Sequence, residues 1–296
     1  MGHLSETPFK ASSDHGDLSG FLVDATDIST FLESPKKFYW NRLYNGTGIV
    51  PAKPSIHLVF GGLWSEFVAN FYAGIKQADA FTQTMEKWTN LNEDFPVKER
   101  DPLTKALAAL IPKYYQNFSP NDEARTESEV EFVWKGFCGR VDGETRLADL
   151  DDGTNLQVWG HECKATSRAS SLADQVWYYQ NSIQIKLYAA ARRWDSVVME
   201  FAYKDPPYDI FRAPAWPITV EMRTEWEAEL TAIRLGMLNC IKENYFLCNP
   251  AGCNIVVKKG TWPCAYKSLC EENMATLKDF IPRAEHLEVR KNAGNL

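Results

Sequence analysis

The chain has 296 residues, 45% of them hydrophobic and 13% aromatic, which suffices for one large α/β domain with insertions. No run approaches eighteen apolar residues and the first residues are polar, so neither a membrane-spanning helix nor a secretory signal is expected, and the reading is of a soluble, cytoplasmic protein. A net charge of −7 argues against a protein that coats nucleic acid through bulk charge, and an odd count of seven cysteines argues against a disulfide scaffold.

Residues 1–22 are rich in Ser, Asp, Gly and His without hydrophobic periodicity and read as a flexible arm. A helix is predicted over 27–42, with Thr26 or Asp27 as its N-cap. A second is predicted over 56–72, where the paired Gly61 and Gly62 would let it approach a neighbouring backbone closely. Residues 77–118 read as two helices broken at Asp101-Pro102, a helical insertion covering about 75–120. Polar and apolar residues alternate over 128–134, which predicts the first strand. Glu129 or Glu131 on it would face solvent or reach toward a site.

A hairpin follows, with strands over 139–150 and 155–165 and a tight turn at Asp151-Asp152-Gly153-Thr154. A long helix is predicted over 171–194, with Gln180, Gln184 and Tyr188 four apart on one face. Strands over 196–204 and 210–213 and a helix over 219–244 complete a domain spanning 23–246. The last segment, 247–296, would pack on it.

The chemistry centres on the hairpin. Glu162 and Lys164 are two apart on a strand and so project from one face, to which an antiparallel partner brings Asp142. Two carboxylates suit a hard cation such as Mg²⁺ or Mn²⁺. An ammonium beside it would position or help deprotonate a water and face the charge developing on a phosphodiester. The competing reading is a solvated face with a cross-strand ion pair. Lys36, Lys37, Arg42, Arg140, Arg168, Arg192 and Arg193 are the candidates for local phosphate contacts.

Val141-Asp142-Gly143 followed by Glu162-Cys163-Lys164 resembles the catalytic core of the PD-(D/E)XK nuclease superfamily. The segment from Thr26 to Arg42, Phe60-Gly61-Gly62-Leu63-Trp64-Ser65-Glu66, and Gln184-x-x-x-Tyr188 resemble motifs of its RecB-like, phage-type exonuclease branch in the same order. Ser65 stands where members carry a metal-binding histidine, and Glu66 beside it offers a carboxylate instead. The resemblance implies a restriction-endonuclease-like core: a central mixed β-sheet flanked by helices, with a helical N-terminal part and a cysteine-rich tail.

It implies DNA cleavage with Mg²⁺ or Mn²⁺, most readily by an exonuclease of bacterial or phage recombination, repair or replication. Asp142, Glu162, the Cys163 carbonyl and Glu66 would form the metal shell, and Lys164 would orient or activate water. Gln184, Tyr188, Gln180, Arg140 and Thr166 would bind a DNA strand, single or double, with a free end. Recombination or replication proteins would be partners, and no membrane is involved. Two other classes stay open: a catalytically silent nuclease-fold DNA-binding or accessory protein, and a metal-bound interaction module.

That module would be built on Cys248, Cys253, Cys264 and Cys270, which crowd into a Gly/Pro-containing segment that favours metal ligation over core filling. By the same resemblance, Cys253, Cys264 and Cys270 correspond to three ligands of a [4Fe–4S] cluster, and Ser34 stands where the fourth cysteine is expected. Cys248 would substitute as fourth ligand, for iron–sulfur or for Zn²⁺. Against this stands an empty, reduced thiol loop held by ordinary packing. Cys138, Cys163 and Cys240 read as small buried residues.

Overall fold

The computed structural model describes residues 20–119, 127–148, 156–167, 171–249, 254–257, 260–271, 274–284 and 290. Most of the expected N-terminal arm, the 151–154 turn, Arg168 and Cys253 lie outside these. In chain order the elements are α1 (Ala25–Glu33), α2 (Pro35–Phe38), β1 (Ile49–Pro51), α3 (Ile56–Tyr72), α4 (Gln77–Asn92), α5 (Val97–Asn117), β2 (Glu127–Trp134), β3 (Phe137–Ala148) and β4 (Leu156–Thr166). There follow α6 (Leu172–Gln180), α7 (Ile183–Arg192), β5 (Ser196–Tyr203), β6 (Ile210–Arg212), β7 (Trp216–Pro217), α8 (Val220–Glu243), β8 (Asn254–Val257), β9 (Gly260–Pro263), α9 (Lys267–Cys270) and β10 (Phe280–Pro282). Among the described residues no helix is long and apolar enough to cross a membrane.

Three predicted helices are broken differently, each by identifiable local chemistry. The expected 27–42 helix begins at Ala25, because Asp24 rather than Thr26 or Asp27 is the N-cap, in a capping box with Asp27. It stops at Ser34, since Pro35 excludes helical geometry from the residue before it, and Ser34 then caps α2. The break expected at Asp101-Pro102 falls at residues 93–96, with Pro96 as the N-cap of α5 and Pro102 carried inside the helix. The single helix expected over 171–194 is two, parted at Asn181-Ser182, where the Ser182 hydroxyl accepts the Ile185 N–H and starts α7.

The chain forms two compact units, Pro54–Phe132 with Arg140–Glu227, and Met1–Lys53 with Val133–Gly139 and Ala228–Leu296. A six-stranded mixed sheet runs in the order β2-β3-β4-β5-β6, with β7 also paired to β5. β3 and β4 are antiparallel and β4 and β5 parallel, which places Glu162 beside Met199, Cys163 beside Glu200 and Lys164 beside Phe201. Alternation along β4 sends Cys163 to one face and Glu162 with Lys164 to the other.

Helices cover both faces. On the Cys163 side, Phe60, Leu63, Trp64, Phe67 and Phe71 of α3 join Trp88 of α4 and Leu107, Leu110, Ile111 and Tyr114 of α5 in one core. Trp64 ties that core to the sheet by donating its indole N–H to the Cys163 sulfur at 3.0 Å. Beneath it the buried Glu200 accepts from the Tyr72 and Tyr114 hydroxyls and from Arg212 at 2.8 Å. The close approach expected of Gly61 and Gly62 does not occur: a Cβ at either would meet nothing within 4 Å.

On the other face α7 and Trp194 cover β4. Trp194 lies on Gly160 so closely that a Cβ there would stand 2.2 Å from its Cδ2.

In the second unit, Trp40, Tyr44, Ile49, Tyr266, Leu269 and Phe280 form a core that includes Cys264 and Cys270. Asp27, fully buried, accepts from Arg283 at 3.1 Å and Arg290 at 2.8 Å. β1 and β10 pair antiparallel from Ile49↔Pro282 to Pro51↔Phe280.

Candidate active site

The antiparallel ladder between β3 and β4 ends at Gly143↔His161, while β4 continues beside β5 as far as Thr166↔Tyr203. Just past the last rung, Asp142 turns its carboxylate to β4 and accepts the Cys163 N–H through Oδ2 at 2.9 Å. A side chain thus takes the place of the next ladder carbonyl, and no hydrogen bond among the described residues engages Oδ1.

Glu162 is buried on the same face. Its Oε2 accepts from Lys164 Nζ at 2.7 Å and from Gln184 Nε2 at 3.1 Å, whereas its Oε1 is buried with no hydrogen-bond partner. Gln184 also hydrogen-bonds Tyr188, so the two residues at one helical spacing brace the carboxylate together. The Tyr188 ring is itself held edge-on by Phe132 at 5.7 Å and Trp194 at 6.0 Å.

Burial sets the electrostatics. It pushes the Glu162 carboxyl up to about 7; Lys164 pulls against this and the nearby Asp142 charge adds to it. Burial alone would lower the Lys164 ammonium, but Glu162 and Asp142 outweigh it and its pKa is raised, so it stays charged. The Tyr188 hydroxyl is raised by burial and then by Glu162. Lys164 Nζ also lies 5.9 Å from the centre of the Tyr179 ring, within cation–π range.

The donor set fits a divalent cation. Two carboxylates from adjacent strands, one with a desolvated oxygen lacking any donor, are hard ligands, and the Cys163 carbonyl lies in the backbone between Glu162 and Lys164. Among the described residues no group of three or more His, Cys, Asp or Glu side chains is arranged to hold a metal. A cation held by Asp142 and Glu162 would need water and substrate oxygens to complete its shell.

No protein-family model and no curated protein matches the chain. Among solved structures it is similar to one described as "Putative exonuclease" from Eubacterium rectale, at 14% identity and a TM-score of 0.45, over 90% of this chain and 98% of that one.

The other expected site residues lie as follows. Glu66, 47% exposed at its side chain, is ion-paired with Lys87 of α4. Arg140 is on the Asp142 face of β3 and is held by Glu129 at 2.7 Å. Thr166 ends β4, its hydroxyl donating to the Ser167 carbonyl at 3.5 Å. Gln180 ends α6 and so belongs to a different helix from Gln184. Cys264 and Cys270 are buried in the second unit's core, Cys248 is exposed, and Cys253 is outside the described residues. The Ser34 hydroxyl accepts the Asn249 N–H at 3.3 Å.

Among the basic candidates, Arg192 braces the buried Glu144 with two bonds of 2.7 Å, Lys37 pairs with Glu33, and Arg42 is buried 3.7 Å from Asp27.

Two neighbours of the site escape the sequence reading. Tyr179 is one, because its approach to Lys164 depends on where α6 ends. Glu129 is the other in part: it takes a left-handed φ of 55° inside β2 and ion-pairs with Arg140. Its carboxyl is raised by burial, with Arg140 opposing and the charges of Asp142, Glu131 and Glu66 adding. Alternation in the 128–134 strand placed it as a candidate but carried no sign of the turned backbone.

Proposed function

We propose that the protein is a divalent-metal-dependent DNA nuclease of the PD-(D/E)XK type, of the RecB-like, exonuclease-like branch. The observation that carries this is the buried, donorless Oε1 of Glu162, set beside the Lys164 ammonium and the Asp142 carboxylate. A desolvated carboxylate oxygen is costly unless something positive completes it. Asp142 and Glu162 would hold Mg²⁺ or Mn²⁺, with the Cys163 carbonyl as a further ligand. When bound, such a cation lowers the pKa of water and neutralises charge on a phosphodiester.

The protein's own groups then have separable tasks. Lys164, kept as an ammonium by two carboxylates, orients the attacking water and faces the charge that grows on the phosphoryl oxygens. Gln184 fixes the Glu162 rotamer and Tyr188 buttresses Gln184. Glu66 enters the shell only by leaving Lys87, so the reading does not need it.

The test is digestion of end-labelled linear and covalently closed circular DNA with Mg²⁺, Mn²⁺ or EDTA, beside Lys164→Ala. Metal-dependent loss of linear DNA, reduced at least about a hundredfold in the variant, is the expected result. Cutting of circles as well would make it an endonuclease. DNA retention without cleavage under any metal would replace it with a DNA-binding protein on a nuclease-type core.

A further inference from the structure

Helix α6 carries two large rings in water: Trp177 is 67% and Tyr178 64% exposed. Single apolar side chains on a surface need no account, but adjacent large rings forgo burial that a core would supply. Tyr178 borders the site, and Trp177 lies one position further out, about 100° round the helix from it. Tyr178 meets Tyr179 edge-on with ring centres 5.2 Å apart, and Tyr179 lies 5.9 Å from the Lys164 ammonium and 5.7 Å from Phe201. The helix that presents them is anchored at both ends. Ser171 and Asp174 form a capping box, Gln175 accepts from the Tyr203 hydroxyl at 3.0 Å, and the Asn181 amide donates to the Trp177 carbonyl at 2.8 Å.

We infer that Trp177 and Tyr178 form a stacking ledge for unpaired bases, making the substrate of the Asp142, Glu162 and Lys164 site a single strand or an unpaired end of nucleic acid. This rests on the phosphodiesterase reading of that site. A phosphate held by Lys164 leaves the adjoining nucleotides beside Tyr179 and, one ring contact further out, Tyr178. Every base presents a flat π-face, so aromatic side chains bind strands with little regard to sequence. Bases inside a duplex are stacked on one another and offer no such face.

The arrangement suits bases better than a partner helix. A helix docks on a stripe at i, i+3 and i+4. Successive residues on a helix instead point about 100° apart, which displays two separate rings.

The test measures anisotropy of a labelled oligothymidylate and of a blunt duplex of equal length with the full chain in EDTA, where binding is read without cleavage. The parent should prefer the single strand at least about tenfold, and Trp177→Ala/Tyr178→Ala should weaken single-strand binding by about tenfold or more. Trp177→Phe/Tyr178→Phe, which keeps the rings, should retain it, and Trp177→Ala alone should show an intermediate loss. Equal binding of the single strand by the parent and the alanine pair would overturn the ledge, as would equal affinity of the parent for the duplex.

Hydrolysis of bis(p-nitrophenyl) phosphate by the parent with Mn²⁺, compared with Lys164→Ala, reads the phosphodiester site alone. Its absence together with ring-dependent strand binding would remove the hydrolytic reading and leave the ledge standing.

Discussion

Glu162 is an acid that the fold holds protonated further up the pH scale than an exposed one. Its carboxyl, ordinarily near 4.5, is pushed up to about 7 by burial, so the metal-free folded chain keeps a proton that the unfolded chain has already released. The stability contributed by that proton is complete below pH 4.5 and is lost as pH climbs to about 7. Glu162→Gln removes the titration. In EDTA its urea midpoint, taken relative to the parent's, should be higher at pH 8 than at pH 5, and an equal offset at both would refute the assignment.

The pairing of Glu162 with Lys164 was legible from their spacing of two, and that of Gln184 with Tyr188 from their spacing of four. The bond from the Cys163 N–H to Asp142 was not, because it exists only where β3 and β4 part, and divergence of strands leaves no mark in hydrophobic alternation.

Among elements, β4 shows best how the site is supported by its neighbours on the same face. Gly160 has no side chain where the Trp194 indole lies, and Trp194 in turn donates to the buried Glu144 at 2.8 Å, which Arg192 also grips. Gly160→Ala would drive a methyl group into that ring. A destabilisation of about 1–3 kcal/mol by chemical denaturation is expected, with a change in Trp fluorescence as the indole shifts. An unchanged midpoint would mean that the contact is slack.

Strand limits followed the alternation closely, since β2 to β6 lie within a few residues of the expected runs. Helix limits did not follow periodicity where capping chemistry outweighed it, as at Asp24, Ser34 and Ser182. Cys264 and Cys270 show the converse limit. Their crowding left both a ligand set and a packed thiol loop open; both sit among the rings of a hydrophobic core, a setting that cysteine counts do not distinguish.

Across the molecule, the two units rest on different kinds of interior. The Met1–Lys53, Val133–Gly139 and Ala228–Leu296 unit gathers distant segments around the buried Asp27, whose partners Arg283 and Arg290 come from the end of the chain. Asp27→Asn would leave Arg283 and the buried Arg290 with Asp24 as their remaining countercharge, a loss of about 1–3 kcal/mol on urea unfolding; a loss below about 1 kcal/mol would mean the cluster is already solvated.

The sheet-bearing unit depends instead on aromatic packing against Cys163, and that choice constrains the chemistry. Cys163 belongs to the core and its two neighbours to the site, so a shift of β4 by a single residue would bury Lys164 among the rings of α3 and α5 and put a thiol on the site's face in its place. A shift by two would restore the faces but carry the ammonium about 7 Å along the strand, beyond reach of Asp142. The position of the site along β4 is thus quantised: drift in small steps is closed to it, and a lone insertion or deletion within the strand exchanges the two faces for every residue beyond it.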